Sequence, residues 1–240
     1  MERRNPAPAV PSLFVPVFFV LCGMSVLCVI LLAVRAYRLD FVSYGFLLWN
    51  LFLAWLPLIV SMAASGLSKV LRGAGLAVSL VILGVAWLLL YPNAPYLTTD
   101  FIHLIVDSPY DWVGAQDSLV LWYDLIIFFL FSWCGLLLGY ISMFHFHSIV
   151  RHYAGEAFGW LFIVVVSFLG GFGVYLGRVI RLNSWDALFS PFRLIDGVLE
   201  GLGRHGAIFT ALFGMLILIV YLSLNSLRLI RHGSPARQES

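Results

Sequence analysis

Six stretches of this chain run for about 20 residues each with almost no charge, and that pattern leaves few folds open. A helix needs roughly 20 residues to cross a hydrocarbon core of about 30 Å. The stretches near 13–34, 44–63, 74–91, 118–143, 157–177 and 206–227 have that length. They are continuously apolar, whereas the strands of a membrane barrel alternate over about 10 residues. The expected fold is therefore all-α, a polytopic membrane protein with about six transmembrane helices. Composition agrees: of 240 residues, 62% are apolar or aromatic and 11% are charged, far from the balance of a soluble domain. The first stretch follows Arg3 and Arg4 as a secretory signal would. Its length and its poor cleavage candidate, Val34-Arg35-Ala36, make it an expected anchor instead.

Residues 13–230 read as a single transmembrane domain, with disordered tails at 1–12 and 231–240. No internal repeat is apparent, so an inverted-repeat transporter has no support. Fourteen basic and 12 acidic residues leave a net charge of +2, too small a surplus for a nucleic-acid footprint. Membrane lipid is the expected partner, with a homodimer or an accessory role in a membrane complex as further readings. Cys22, Cys28 and Cys134 all fall in apolar stretches, where packing explains them better than a disulfide framework.

Six spans put Arg3, Arg4, Lys69, Arg72, Arg151, Arg228, Arg231 and Arg237 on one side and Arg35, Arg38, Arg178, Arg181, Arg193 and Arg204 on the other. Eight against six favours both termini in the cytoplasm of a bacterial inner membrane. The segment 92–117 adds to this, having Asp100, Asp107, Asp111 and Asp117 but no lysine or arginine.

That segment opens with YPNAPYLTTDFIHL, residues 91–104. Pro92 and Pro95 remove backbone donors and restrict their predecessors, which predicts that the third span ends at or just before Tyr91. Asn93 then lies at the membrane boundary. Thr98 or Thr99 is expected to cap a short interfacial or re-entrant helix, with Asp100 in its first turn and His103 on the same face. A second interfacial helix is expected after the fifth span, where Leu188, Phe192, Ile195, Leu199 and Leu202 recur at helical spacing. The glycines at 170, 173 and 177 suit close helix packing.

Asp124, in LVLWYDLIIFF, lies about two turns into the fourth span, where a carboxylate facing lipid is costly. Two readings stand: it pairs with an arginine to fix helix packing, or it belongs to a polar site near Arg178 or His103. The run GRVIRLNSWD after the fifth span offers the opposite wall. Together these residues suggest an outward-facing polar pocket of Asn93, Thr99, Asp100, His103, Tyr123, Asp124, Arg178, Asn183 and Asp186. Asp100, His103, Asp124 and Asp186 are hard or borderline ligands that suit a divalent cation, unless Arg178 and Arg181 consume the carboxylates. His145, His147 and His152 cannot join that pocket, since about 21 residues of helix is roughly 31 Å. Headgroup contact or helix capping is expected of them.

PNAPYLTTDFIHL, LWYDLI and GRVIRLNSWD, in that order, resemble a family of bacterial multi-pass membrane proteins, the domain-of-unknown-function family numbered 1361. The likeness covers approximately 50–230 and implies a membrane fold. It places Asn93, Pro95, Thr99, Asp100, His103, Tyr123, Asp124, Gly177, Arg178, Asn183, Ser184, Trp185 and Asp186 at the family's motif positions and implies no substrate or reaction. The chain lacks HExxH, an EF-hand loop, a nucleophile elbow and a phosphate-binding loop. The resulting expectation is an integral membrane protein that binds a small solute in the polar pocket. The alternative is a membrane-embedded enzyme, divalent-metal-dependent, acting on a lipid-linked or periplasmic substrate.

Overall fold

Continuous apolar runs without water nearby satisfy their backbone only as helix, and that is how this chain folds. The structure, a computed structural model, describes residues 14–39, 44–106, 119–184 and 186–232. Six helical segments are long and apolar enough to cross a membrane: Pro16–Arg38, Phe46–Val70, Gly73–Val106, Leu119–Ala154, Glu156–Ile180 and Arg204–Arg228. The protein is a multi-pass helical membrane protein, and no strand occurs among the described residues. The long elements are α1 (Phe14–Leu39), α2 (Phe46–Val70), α3 (Gly73–Leu90), α6 (Leu119–Ala154), α7 (Glu156–Tyr175) and α10 (Arg204–His232). Short helices α4 (Asn93–Tyr96) and α5 (His103–Val106) follow α3, and α8 (Asp186–Phe189) and α9 (Pro191–Gly201) follow α7.

The centre of the bundle is α6, which packs on α1, α2, α4, α7 and α10. Its 36 residues make a helix of about 54 Å, so it extends well beyond the 118–143 stretch. Large apolar side chains left exposed on the outer helices, such as Phe19, Ile82, Phe129, Leu161 and Ile219, form the lipid-facing surface that a soluble protein would not tolerate.

The regular helix α3 ends at Leu90, just before Tyr91 as expected, but the chain does not turn away there. Tyr91 and Pro92 keep right-handed helical angles (φ −53°, ψ −41° and φ −57°, ψ −24°), and the chain continues through α4, a 3-10 turn over Leu97–Ile102, and α5. Neither Thr98 nor Thr99 is an N-cap. Each hydroxyl donates backward instead, to the carbonyls of Pro95 (2.7 Å) and Tyr96 (2.6 Å). The carbonyls at the end of α3 find side-chain donors: Asn93 Nδ2 reaches Leu90 O at 2.8 Å, and Ser184 Oγ reaches Leu89 O at 2.8 Å. Tyr91 O, which Pro95 leaves without its i+4 donor, accepts from Ala94 N–H at 3.1 Å instead.

Glycines let this segment enter the bundle. A methyl group at Gly135 of α6 would come within 2.5 Å of Ala94 O and 2.7 Å of Leu97. On α7, Gly170 lies against Tyr91, Gly173 against Pro92 and Gly177 against Tyr96, so the glycine face receives the interrupted helix. Ala94, Leu97 and Asp100 are fully buried as a result.

Beyond Tyr175 the chain winds into a π turn, Leu176–Ile180, and leaves it through Arg181 in the left-handed region (φ 62°, ψ 41°). Asn183 then starts the next helix. Its backbone N–H donates to Asp186 Oδ2 at 2.7 Å, while Asp186 N–H donates to Asn183 O at 2.9 Å. This reciprocal pair has the logic of a capping box. α9 follows, holding Gly197 against Ile180 and Leu182 and leaving Phe192, Ile195, Leu199 and Leu202 exposed. Helix α10 runs to His232, so it includes the first two residues of the expected C-terminal tail. The expected tails at 1–12 and 233–240, together with Asp107, Asp111, Asp117 and Trp185, lie outside the described residues.

Candidate binding site

Arg178, on the π turn, is the hub of the first polar centre. Its Nε donates to Thr99 Oγ1 at 2.7 Å, Nη1 donates to His103 Nε2 at 3.2 Å, and Nη2 pairs with Asp100 Oδ1. The guanidinium lies over the Tyr96 ring, 4.5 Å from its centroid. Asp100 has no solvent exposure, and its other oxygen accepts from Asn50 Nδ2 at 2.9 Å. Such a charge is tolerated inside a protein only when its lone pairs are taken up in this way.

A cavity of about 340 Å³ adjoins this centre. It is bounded by Trp49, Asn50 and Leu53 of α2, by Leu88, Leu89, Pro92, Asn93 and Tyr96, by Leu169, Phe172 and Leu176 along α7 and its π turn, by Asn183 and Ser184, and by Leu194 and Val198 of α9. Most of this wall is apolar. Trp49 and Asn183 are exposed as well as lining, so the cavity reaches the molecular surface.

A second polar centre forms elsewhere. Asp124 faces the interior, with no exposure, but the arginine it holds is Arg35 rather than Arg178. Nε of Arg35 lies 2.5 Å from Oδ1 and Nη2 lies 2.7 Å from Oδ2, a two-pronged, buried pair. The Arg35 guanidinium stacks over Tyr44 at 4.1 Å. Tyr123 joins this group through its hydroxyl, which donates to Leu31 O at 2.8 Å. Aromatic rings link the two centres: Tyr44 contacts Phe46 at 6.2 Å, and Phe46 contacts His103 at 4.4 Å.

The expected single pocket is thus divided. Thr99, Asp100, His103 and Arg178 share one centre, Asn93 and Asn183 line the cavity beside it, Tyr123 and Asp124 belong to the α1–α6 pair, and Asp186 is occupied by its own helix cap. The four candidate metal ligands do not converge: no group of three His, Cys, Asp or Glu side chains within reach of one ion occurs among the described residues. Arg178 and Arg35 each engage one of the carboxylates.

The histidines of the opposite end also depart from expectation. His145 and His147 are buried and bond to Ser61 Oγ at 2.9 Å and Tyr221 Oη at 2.5 Å. Two residues apart, they face different sides of α6, and both sides are covered because α2 and α10 flank it. Only His152 is exposed.

Sequence reading missed Asn50 and the partnership of Arg35. Asn50 carries a signal, a lone amide in the apolar run LLWNLFLAW. Arg35 was legible only as a loop charge, although it sits in the last turns of α1.

No curated protein and no solved structure matches this chain. The model of the family described as "Protein of unknown function (DUF1361)" matches residues 49–220, a range that contains both centres' α6 and α7 elements and the whole cavity wall, and the chain belongs to that family.

Proposed function

We propose that this membrane protein binds a small amphipathic solute in the cavity between α2, α4, α7 and α9. The observation that carries this reading is the cavity itself: about 340 Å³, within the range of small-molecule sites. Apolar walls with a few fixed polar groups are what such sites have in common. The buried Asp100–Arg178 centre supports the wall from behind, tying α2, the 3-10 turn and the π turn together.

The cavity lies toward the outward end of the bundle, with both termini cytoplasmic. Loop charge is the quantity that governs orientation, and Arg35 and Arg178 are packed into the protein rather than displayed in loops. Removing them, and by the same test Arg228 of α10, which stacks over Phe144 at 4.1 Å, leaves four arginines against seven basic residues on the other side.

Filling the cavity tests the binding role. Val198→Trp places a large ring in the space without touching either ion pair. Native mass spectrometry of gently purified protein should show a retained small molecule in the wild type and its loss in Val198→Trp. Identical spectra from two equally well-folded preparations would remove the support for a binding role.

A further inference from the structure

Resting on that binding role, the geometry points to the class of ligand: an uncharged amphiphile whose polar end carries hydroxyl groups. The first ground is charge. None of the residues bounding the cavity is ionisable to a full charge at neutral pH, and an ion placed among them would lose its hydration without a partner. Arg178 is close in the chain to the wall but does not line the cavity. Its guanidinium is directed to Thr99, Asp100 and His103, so it offers no anchor to a phosphate or carboxylate.

The second ground is the orientation of the two buried-side amides. Asn93 Nδ2 donates to Leu90 O at 2.8 Å and to Ser184 Oγ at 3.1 Å. A carbonyl can only accept, so the amide's orientation is fixed and its donors are both committed. Asn50 Nδ2 donates to the Asp100 carboxylate at 2.9 Å, which fixes that amide in the same way. Each leaves its Oδ1 acceptor unengaged, Asn50 with a second N–H beside it, and both residues line the cavity. Ser184 Oγ is spent in turn, donating to Leu89 O while accepting from Asn93. Two preset carbonyl oxygens beside an apolar wall match a head that donates hydrogen bonds and a tail that needs none. Vicinal hydroxyls have that chemistry, and a glycolipid carries them on an apolar tail.

Isothermal titration of the amphipol-held protein with octyl glucoside, each probe kept below its micelle concentration, tests this. Octyl glucoside should bind at least tenfold more tightly than its fully O-methylated analogue, octyl sulfate or octylammonium. Free glucose tests the tail: much weaker binding than that of octyl glucoside is expected, and equal binding would overturn the amphiphile in favour of a free polyol. Val198→Trp should abolish octyl glucoside binding. If the methylated or charged probes bind as tightly as octyl glucoside, and Val198→Trp removes them all, the hydroxyl assignment falls while the cavity remains a binding site. If no probe binds the wild type, both fall.

Discussion

The Arg35–Asp124 pair makes a sharp test of what holds α1 to the bundle. Its two bonds are 2.5 and 2.7 Å long, and its members are 4% and 0% exposed. Asp124→Ala leaves a guanidinium inside the protein with its carboxylate gone, and unpairing a buried ion pair costs about 3–5 kcal/mol. Arg35→Met takes the guanidinium from the buried carboxylate instead. It also forfeits the stacking over Tyr44, worth about 1–2 kcal/mol where water is excluded. The double variant removes both charges together, and replacing such a pair by apolar side chains is often close to neutral. The double variant should therefore be more stable than either single one, with a coupling energy of about 3 kcal/mol or more, over a hundredfold in the unfolding constant. Reversible unfolding in mixed micelles, titrated with dodecyl sulfate, gives all four corners of the cycle. Additivity of the single effects within about 0.5 kcal/mol would refute the reasoning and reduce the pair to a contact without consequence.

The glycine clamp predicts opposite outcomes at two sites: Gly135→Val forces a side chain against Ala94 and Leu97 and should cost about 1–3 kcal/mol in the same assay. Gly66→Ala, with open space around it, should be neutral or stabilising by up to about 1 kcal/mol, and equal losses at both would discard the clamp. For orientation, single cysteines at the exposed positions 183 and 151, in a background lacking Cys22, Cys28 and Cys134, should react differently with an impermeant maleimide on intact cells. Labelling of Asn183→Cys alone is the expected result, and labelling of both from outside would overturn the topology.

Much of the architecture was legible because a span announces itself by length and composition. Asp124 announced its burial for a related reason, since lipid gives a carboxylate nowhere else to go. Partner choice was not legible. Arg35 and Arg178 have the same chemistry and both sit at the end of the bundle where Asp124 lies. Which one meets Asp124 depends on α1 packing beside α6, a contact between residues 89 positions apart. The prolines marked where α3 ends, at Leu90, but not how the chain goes on, because one side chain that bonds the end of α3, Ser184 at Leu89 O, is 95 residues away. Asp186 looked like a ligand because its use by the N–H of Asn183 leaves no trace in composition.

Once these structural duties are assigned, the two arginines differ in what they constrain. Arg35 joins two regular helices, α1 and α6. Arg178 sits on a π turn that exits through a left-handed, non-glycine residue, Arg181, a conformation that costs on the order of 1–3 kcal/mol and persists only where surroundings enforce it. The enforcement is visible: Leu182 N–H closes onto Leu176 O at 3.0 Å, and Arg178 is held by Thr99, Asp100 and His103 on the facing segment. Leu176, Gly177, Leu182, Asn183 and Ser184 of this same turn are cavity wall. The shape of the cavity thus depends on a strained backbone, and that backbone depends on the ion pair behind it. Asn50 completes the connection, because one side of its amide satisfies Asp100 while the other belongs to the cavity. Polar residues outside the cavity wall, Arg178 above all, therefore take part in fixing the cavity's shape.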